Sequence, residues 1–190
     1  MTTSIQKISF QLRHKYLGRL GSGIRKIWYG FQGMQVGHGT TLPAIEVTWP
    51  HQVRIGANCQ LEAGIYFKFD GIWQAGPSIT IQDNVFIGSS CEFNINTGIY
   101  IENNANIASG CKFIDHDHGI VAGIRIGAQP SVGAKIHLQE DVWLGVNVVV
   151  LKGVTIGTGA VVAAGAVVNK NIGANEIWGG IPAKFIKMRS

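Results

Sequence analysis

The chain has 190 residues, of which 26 are glycine, only 27 are charged and 46% are hydrophobic. This length and composition predict one folded domain with a substantial core and exclude a disordered chain. No apolar run approaches the roughly 18 residues of a membrane-spanning helix, and residues 1–30 lack the apolar stretch of a secretory signal, so we expect a cytoplasmic protein.

The net charge of +5 is distributed unevenly along the chain. Residues 1–30 carry six basic and no acidic side chains, whereas residues 31–183 sum to −4. A nucleic-acid-binding domain presents a basic patch or stripe on its folded body. Because the body of this chain is mildly acidic and only its ends are basic, the sequence predicts no nucleic-acid partner.

An N-terminal helical segment is predicted over residues 1–34. Apolar residues recur at helical spacing over residues 4–28, and Gly21 and Gly23 predict a break between two helices. The basic residues are not cleanly segregated from the apolar stripe, which favours docking on the rest of the protein or on a neighbouring subunit. Contact with an anionic bilayer is the alternative, which would make the protein membrane-associated.

Most of the remaining chain repeats with a period of six residues. The repeat is unbroken from Leu138 to Gly173, and earlier copies begin at Ile55, Ile81 and Ile101. A strict period of six drifts around a helix, so the pattern predicts a solenoid of parallel strands. The first and fifth positions are apolar or small. The fourth position holds residues that mostly tolerate a positive φ, namely Asn58, Gly64, Asn84, Ser90, Asn104, Gly110, Asp141, Asn147, Gly153, Gly159, Gly165 and Asn171.

Two insertions interrupt the repeat, at residues 67–80 and at about 119–135, and a two-residue slip falls near Phe93–Ile95. Insertions in a solenoid emerge as loops and often carry the site. The first insertion is aromatic, so it either frames a sugar or caps a hydrophobic seam; its aromatic residues are Tyr66, Phe67, Phe69 and Trp73.

Three cysteines, Cys59, Cys91 and Cys111, share the fifth position of their repeats. Free cysteine packs like a small apolar residue, and these spacings match neither a zinc site nor a disulfide framework. The pattern favours core packing, with a nucleophile for a thioester as the alternative.

Two histidines stand in Asp-His-Asp-His-Gly at residues 115–119, where the repeats stop and the second insertion begins. If the strand continues, His116 and His118 share one face and the two aspartates point the opposite way. Imidazole titrates near neutral pH and suits general acid–base catalysis. The alternatives are structural loop histidines, or a zinc site in which both combine with His137.

The hexads, with DVWLG at 141–145 and NEIWGGIPAKFIK at 175–187, resemble the left-handed β-helix hexapeptide acyltransferases over residues 35–187. The resemblance implies an all-β fold, a left-handed parallel β-helix in which the hexads form the sides of a triangular prism. It also implies that three copies of the chain form a homotrimer. We therefore expect this domain at 35–173 and a C-terminal tail at 174–190. The segment IASGCKFIDHDHG at 107–119 is most similar to sugar and polysaccharide O-acetyltransferases, including the galactoside and maltose enzymes.

This resemblance implies transfer of an acetyl group from acetyl-CoA to a hydroxyl of a sugar or polysaccharide precursor. Acetyl-CoA would be a co-substrate, and we expect no tightly bound cofactor or metal. His118 takes the position of the catalytic histidine, His116 that of a support or acceptor contact, and Asn94 that of an acceptor-binding asparagine. The alternative for Asn94 is an asparagine at a turn or in a polar ladder. The γ-carbonic anhydrases share the prism and place three histidines on zinc, so a zinc enzyme is the second candidate. A non-catalytic scaffold is the third.

The resemblance also predicts an acyl-CoA site along the C-terminal coils. Trp143 corresponds to a tryptophan beside the catalytic histidine, and a backbone amide near Gly145 would contact the thioester. Ala164, Asn169 and Lys170 correspond to positions that line the pantetheine arm and the nucleotide of CoA. Lys187 corresponds to a basic residue near the phosphates. The alternatives are a packed corner aromatic for Trp143 and solvated surface charges for the two lysines.

Overall fold

The computed structural model describes residues 2–10 and 18–190, and begins with two helices, α1 (Thr2–Phe10) and α2 (Gly18–Phe31). The predicted break at Gly21 and Gly23 is wrong, because α2 runs through both glycines. Residues 11–17, which include part of the predicted apolar pattern, lie outside the described residues. No helix in the described ranges is long and apolar enough to cross a membrane.

Twenty-one strands follow α2 in the described chain, and nineteen of them form three sheets. Face 1 contains β1 (Gln35–Val36), β3 (Val53–Ile55), β6 (Ile79–Ile81), β9 (Ile99–Ile101), β14 (Ile136–Leu138) and β17 (Thr155–Ile156). Face 2 contains β4 (Gln60–Leu61), β7 (Phe86–Ile87), β10 (Asn106–Ile107), β15 (Trp143–Leu144), β18 (Val161–Val162), β20 (Glu176–Gly179) and β21 (Lys184–Met188). Face 3 contains β2 (Ile45–Val47), β5 (Ile65–Phe69), β8 (Glu92–Ile95), β11 (Lys112–Ile114), β16 (Val149–Leu151) and β19 (Val167–Val168).

The chain visits faces 1, 2 and 3 in turn, so that three hexads complete one coil of a left-handed parallel β-helix, as the sequence predicts. Neighbouring strands on each face are parallel, except that β21 runs antiparallel to β20 at the C-terminal end of face 2. The remaining strands, β12 (His116–Asp117) and β13 (Val132–Gly133), form a separate antiparallel ribbon.

Turn chemistry at the fourth position explains how the coils turn their corners. Eleven of the twelve predicted residues adopt φ between 55° and 79°, the left-handed region in which Gly, Asn and Asp are least strained. The prediction is wrong for Asn171. Its side-chain oxygen instead accepts a hydrogen bond from the Thr155 N–H at 2.8 Å, and the left-handed turn falls at Asn175.

The first and fifth positions supply a continuous apolar core along the prism axis. Phe67, Phe93 and Phe113 stack in register on face 3, with ring centroids 4.9 and 4.8 Å apart. The first insertion therefore begins later than predicted, because Phe67 and Phe69 are buried strand residues of β5. Trp73 is the exposed aromatic of this loop, and it stacks on His51.

The three cysteines pack in this core, as predicted, each with 1% or less of its surface exposed. Burial raises the pKa of the Cys59 thiol. A hydrogen bond with Cys111, together with burial, raises the pKa of the Cys91 thiol. Because a thiolate is the reactive form, raised pKa values make poor nucleophiles of these two residues.

Candidate active site

The segment Asp115–Gly119 leaves the prism at the corner between faces 3 and 1. β11 belongs to face 3, whereas β12 pairs with β13 at the base of the loop. The predicted alternation across this segment is therefore wrong: Asp115 is fully buried, and Asp117 is exposed. Asp117 lies 2.8 Å from the Lys152 ammonium and so ties the ribbon to the prism.

The buried Asp115 carboxylate anchors the site. One of its oxygens accepts a hydrogen bond from the Asn96 N–H at 2.8 Å, and the other accepts from the Thr97 and Gly98 N–H groups at 2.7 and 2.6 Å. These three amides form the extra turn that causes the slip in the repeat. The aspartate thus fixes the turn of one coil to the histidine segment of the next, a role that the sequence did not reveal.

His116 lies between two carboxylates. Its Nδ1 is 3.0 Å from Asp115 Oδ1, and its Nε2 is 3.5 Å from Asp70 Oδ2. Because both ring nitrogens face acidic groups, this imidazole suits positioning better than proton abstraction from a substrate. Asp70 is a second residue that sequence reasoning missed, since it follows β5 and lies 46 positions before His116.

His118 is exposed, and none of the described residues hydrogen-bonds its ring. The loop that follows is held by the Gln129 side chain, which accepts from the Val121 N–H at 2.8 Å and donates to the Ile124 carbonyl at 2.9 Å. At Gly119 a Cβ would lie 2.6 Å from the Gln129 side chain. His118 is therefore an open imidazole at the start of a loop whose backbone is held in place.

Asn94 occupies β8, in register with Ile114 of β11 and Lys68 of β5. Its side-chain oxygen is buried, and no described residue donates a hydrogen bond to it. An unpaired buried acceptor costs about 1–3 kcal/mol. A hydroxyl or amide of a bound molecule would satisfy this oxygen next to the histidine segment.

Trp143 lies on face 2, with 55% of its surface exposed. It borders a mostly apolar cavity of about 640 Å³ that also contacts Phe86, Ala108, Val161 and Ile177. Face 2 is opposite the corner from which the His118 loop departs. The topology of one chain therefore separates Trp143 from His118.

The close stacking of the C-terminal coils explains why position 145 is a glycine. A Cβ there would lie 2.6 Å from the Ala164 backbone nitrogen. The Gly145 N–H donates to the Val162 carbonyl at 2.8 Å and is occupied within the coil. No described residue accepts a hydrogen bond from the N–H of Val146 or of Ala164. These two amides therefore have no hydrogen-bond acceptor in the described part of the chain.

The structure brings Asn169 and Lys170 together in a second cavity of about 420 Å³, beside Trp178 and Lys184. Lys184 belongs to β21, which also carries the exposed Lys187, paired in register with Ile177. The C-terminal hairpin therefore adds positive charge next to two of the predicted CoA-binding positions, and Lys184 is a contributor that sequence reasoning did not single out.

The third histidine of the zinc alternative lies elsewhere. His137 is on face 1, with Nε2 2.7 Å from Glu102 Oε1 and its ring edge-on to Tyr100. Among the described residues, no three His, Cys, Asp or Glu side chains are grouped as a metal site. Within one chain the three histidines thus do not form the ligand set that this alternative needs.

Two families match the repeats. The family described as "Bacterial transferase hexapeptide (six repeats)" matches residues 135–170, and "Hexapeptide repeat of succinyl-transferase" matches residues 78–111. These two segments of the chain are therefore similar to hexapeptide repeats. A Schizosaccharomyces pombe protein named "Putative acetyltransferase" is 37% identical over 102 residues, which are 54% of this chain and 49% of that protein. The chain thus spans about half the length of that curated relative.

Several solved structures are similar to this chain over most of its length. A hexapeptide-repeat acetyltransferase from Vibrio cholerae is 25% identical, with a TM-score of 0.61 over 99% of this chain and 92% of its own. Its complex with acetyl coenzyme A is 27% identical over 88% and 78% of the two chains, with the same TM-score. AntD, an N-acyltransferase from Bacillus cereus, has a TM-score of 0.73 over 87% of this chain and 88% of its own. At 20% sequence identity, this likeness shows that the two chains share a fold. The chain thus shares the fold of these proteins and is similar in sequence to the hexapeptide-repeat acetyltransferase from Vibrio cholerae.

Gly145→Ala is expected to destabilise the protein. The new methyl group would meet the backbone of Ala164, which can yield only if two coils move apart. Overpacking of this kind costs about 1–3 kcal/mol, measurable as a lower urea midpoint. Gly127→Ala is the matched control, because a Cβ at Gly127 meets nothing within 4 Å. Equal stability of the two variants would contradict the stacking argument.

Proposed function

We propose that this protein transfers an acetyl group from acetyl-CoA to a hydroxyl of a sugar or polysaccharide precursor, as in the galactoside and maltose acetyltransferases. The observation that carries the proposal is the open His118 imidazole next to a segment anchored by buried Asp115. The unpaired Asn94 oxygen on the neighbouring strand supports an acceptor site there. The acetyl-CoA complex of the Vibrio cholerae relative supports the donor.

In the proposed reaction, His118 removes the proton from the acceptor hydroxyl as its oxygen attacks the thioester carbonyl. A carbon–oxygen bond forms, and the carbon–sulfur bond then breaks. The protonated His118 returns the proton to the departing CoA thiolate, so no covalent enzyme intermediate is needed. His116, held between Asp115 and Asp70, positions the segment or contacts the acceptor.

The donor is proposed to lie along face 2 and the C-terminal hairpin. The free amides of Val146 and Ala164 can hydrogen-bond the pantetheine arm or the oxyanion that forms on the thioester oxygen. Lys170 and Lys187, together with Lys184, supply positive charge for the CoA phosphates, and Asn169 adds a polar contact. Trp143 would cover the thioester end.

A homotrimer is part of this proposal. Trp143 and His118 belong to opposite sides of one prism, so a complete site needs His118 of one copy to meet face 2 of another. The resemblance of the sequence to trimeric acyltransferases supports this arrangement. A monomer with full activity would contradict it.

The chemistry of the product tests the proposed function. The protein is incubated with acetyl-CoA and with pairs of sugars that differ only in a hydroxyl or an amine at one carbon. We expect acetylated hydroxyl sugars whose new bond is cleaved by hydroxylamine at alkaline pH, as an ester is. Acetylation of the amino sugars alone, as a stable amide, would contradict the hydroxyl acceptor. Absence of CoA release with every acceptor would favour a scaffold.

A further inference from the structure

Helix α2 contacts the prism through polar side chains. Ser22 Oγ accepts a hydrogen bond from the Leu42 N–H at 2.8 Å, and Arg25 Nε donates to the Leu42 carbonyl at 2.8 Å. Tyr29 packs partly against the core on the same side. A surface helix ordinarily turns its apolar stripe toward the core. In α2 the polar side faces the protein.

The apolar side of α2 points outward. At about 100° per residue, its five large apolar side chains fall within an arc of roughly 100° that is centred opposite Ser22 and Tyr29. Each of the five has at least 62% of its surface exposed; they are Leu20, Ile24, Ile27, Trp28 and Phe31. We call this surface the α2 stripe. No other element of the described chain covers it.

The charges of the N-terminal segment indicate which partner the α2 stripe binds. Residues 1–30 carry six basic groups and no acidic group, while residues 31–183 sum to −4. Arg19 and Lys26 belong to α2 itself, and α1 adds the exposed Ile5, Lys7 and Ile8. A basic helix with one apolar face has the composition of an interfacial membrane helix. If a second copy of the chain covered the α2 stripe instead, the basic residues of the two copies would repel each other.

We propose that the α2 stripe inserts into the surface of a membrane that contains anionic lipids. The five apolar side chains would enter the boundary between headgroups and acyl chains, while the basic side chains meet the phosphates and carboxylates of the headgroups. The prism would stay outside the bilayer, attached through Ser22, Arg25 and Tyr29. This inference goes beyond the proposed acetyl transfer and does not depend on it.

Vesicle flotation of the full chain tests the proposal. Vesicles of phosphatidylcholine mixed with phosphatidylserine are compared with vesicles of phosphatidylcholine alone. We expect binding to the mixed vesicles that weakens as salt is raised. The double variant Ile24→Glu and Phe31→Glu is expected to lose at least about tenfold in affinity, because two buried apolar side chains contribute more than 1.4 kcal/mol.

Two further variants make the result specific. Ile72→Glu with Ile186→Glu introduces the same charge at exposed apolar positions outside the stripe, and is expected to lose less affinity than the stripe variant. Arg19→Gln with Lys26→Gln leaves the apolar stripe intact and is expected to weaken binding to the mixed vesicles only. Circular dichroism confirms that each variant is folded.

Sedimentation velocity of the same proteins separates the membrane from self-association. We expect the stripe variant to keep the sedimentation coefficient of the unmodified protein. Dissociation of the assembly by the stripe variant would show that a second copy covers the stripe and would overturn the proposal. Failure of the unmodified chain to bind mixed vesicles, or equal loss in the stripe and control variants, would also overturn it.

Discussion

Replacing His118 with alanine is expected to lower the rate of acetyl transfer by about 10²- to 10⁴-fold, the usual contribution of a general base. The reason is geometric, because His118 has no hydrogen bond to a described residue and its ring is accessible to an acceptor. Steady-state kinetics should show the loss in kcat. The dissociation constant for CoA should change little, because the proposed contacts to the pantetheine arm and the phosphates come from Val146, Ala164 and the C-terminal lysines and not from His118.

His38→Ala is the matched control for this experiment, since His38 is also an exposed histidine but lies at the N-terminal end of the prism. It should leave the rate unchanged. His116→Asn should give a smaller loss than His118→Ala, because His116 is held between two carboxylates. A larger loss at His116 than at His118 would reverse the two assignments.

Asp115→Ala is expected to destabilise the protein by about 3 kcal/mol and to abolish most activity. The change would remove the acceptor of three backbone N–H groups, and an unsatisfied buried group costs about 1–3 kcal/mol. The value lies at the lower end of the sum for three groups, about 3–9 kcal/mol, because Asn96 and Thr97 are half-buried and water can reach them. Urea unfolding measures the loss of stability, and kcat/KM measures the loss of the histidine segment's anchor.

Asp117→Ala is the control for Asp115. Asp117 is two residues away, but it is exposed and makes one ion pair with Lys152. Exposed ion pairs contribute about 0–1 kcal/mol, so this variant should unfold near the urea midpoint of the unmodified protein. The anchoring role of Asp115 would be wrong if Asp115→Ala unfolded at the same midpoint as Asp117→Ala.

Local chemistry made most of the prism predictable. A strict six-residue period requires a regular coil. The turn at each corner depends only on whether the residue at the fourth position tolerates a positive φ, which its type alone indicates. Asn171 departs from the pattern because a long-range hydrogen bond to Thr155 favours another backbone conformation. The helix break at Gly21 and Gly23 failed for a similar reason, since contacts of Ser22 and Arg25 with Leu42 hold α2 together.

The site was harder to predict, because its contacts join distant parts of the chain. The pairing of His116 with Asp70 and the binding of the turn at 96–98 by Asp115 depend on which coils are stacked. Sequence periodicity predicts stacking but not which side chains meet at a corner. Likewise, the predicted start of the first insertion is too early. Phe67 and Phe69 lie outside the six-residue pattern in the sequence, but both are buried in the core as residues of face 3.

The release of CoA from acetyl-CoA in the presence of sugar acceptors is the most direct test of the central claim. A thiol reagent such as dithionitrobenzoate follows it continuously for the unmodified protein and for His118→Ala. We predict acceptor-dependent release by the unmodified protein and a loss of about 10²-fold or more in the variant. Release that does not depend on the acceptor, or that is equal in the two proteins, would contradict acetyl transfer with His118 as its base.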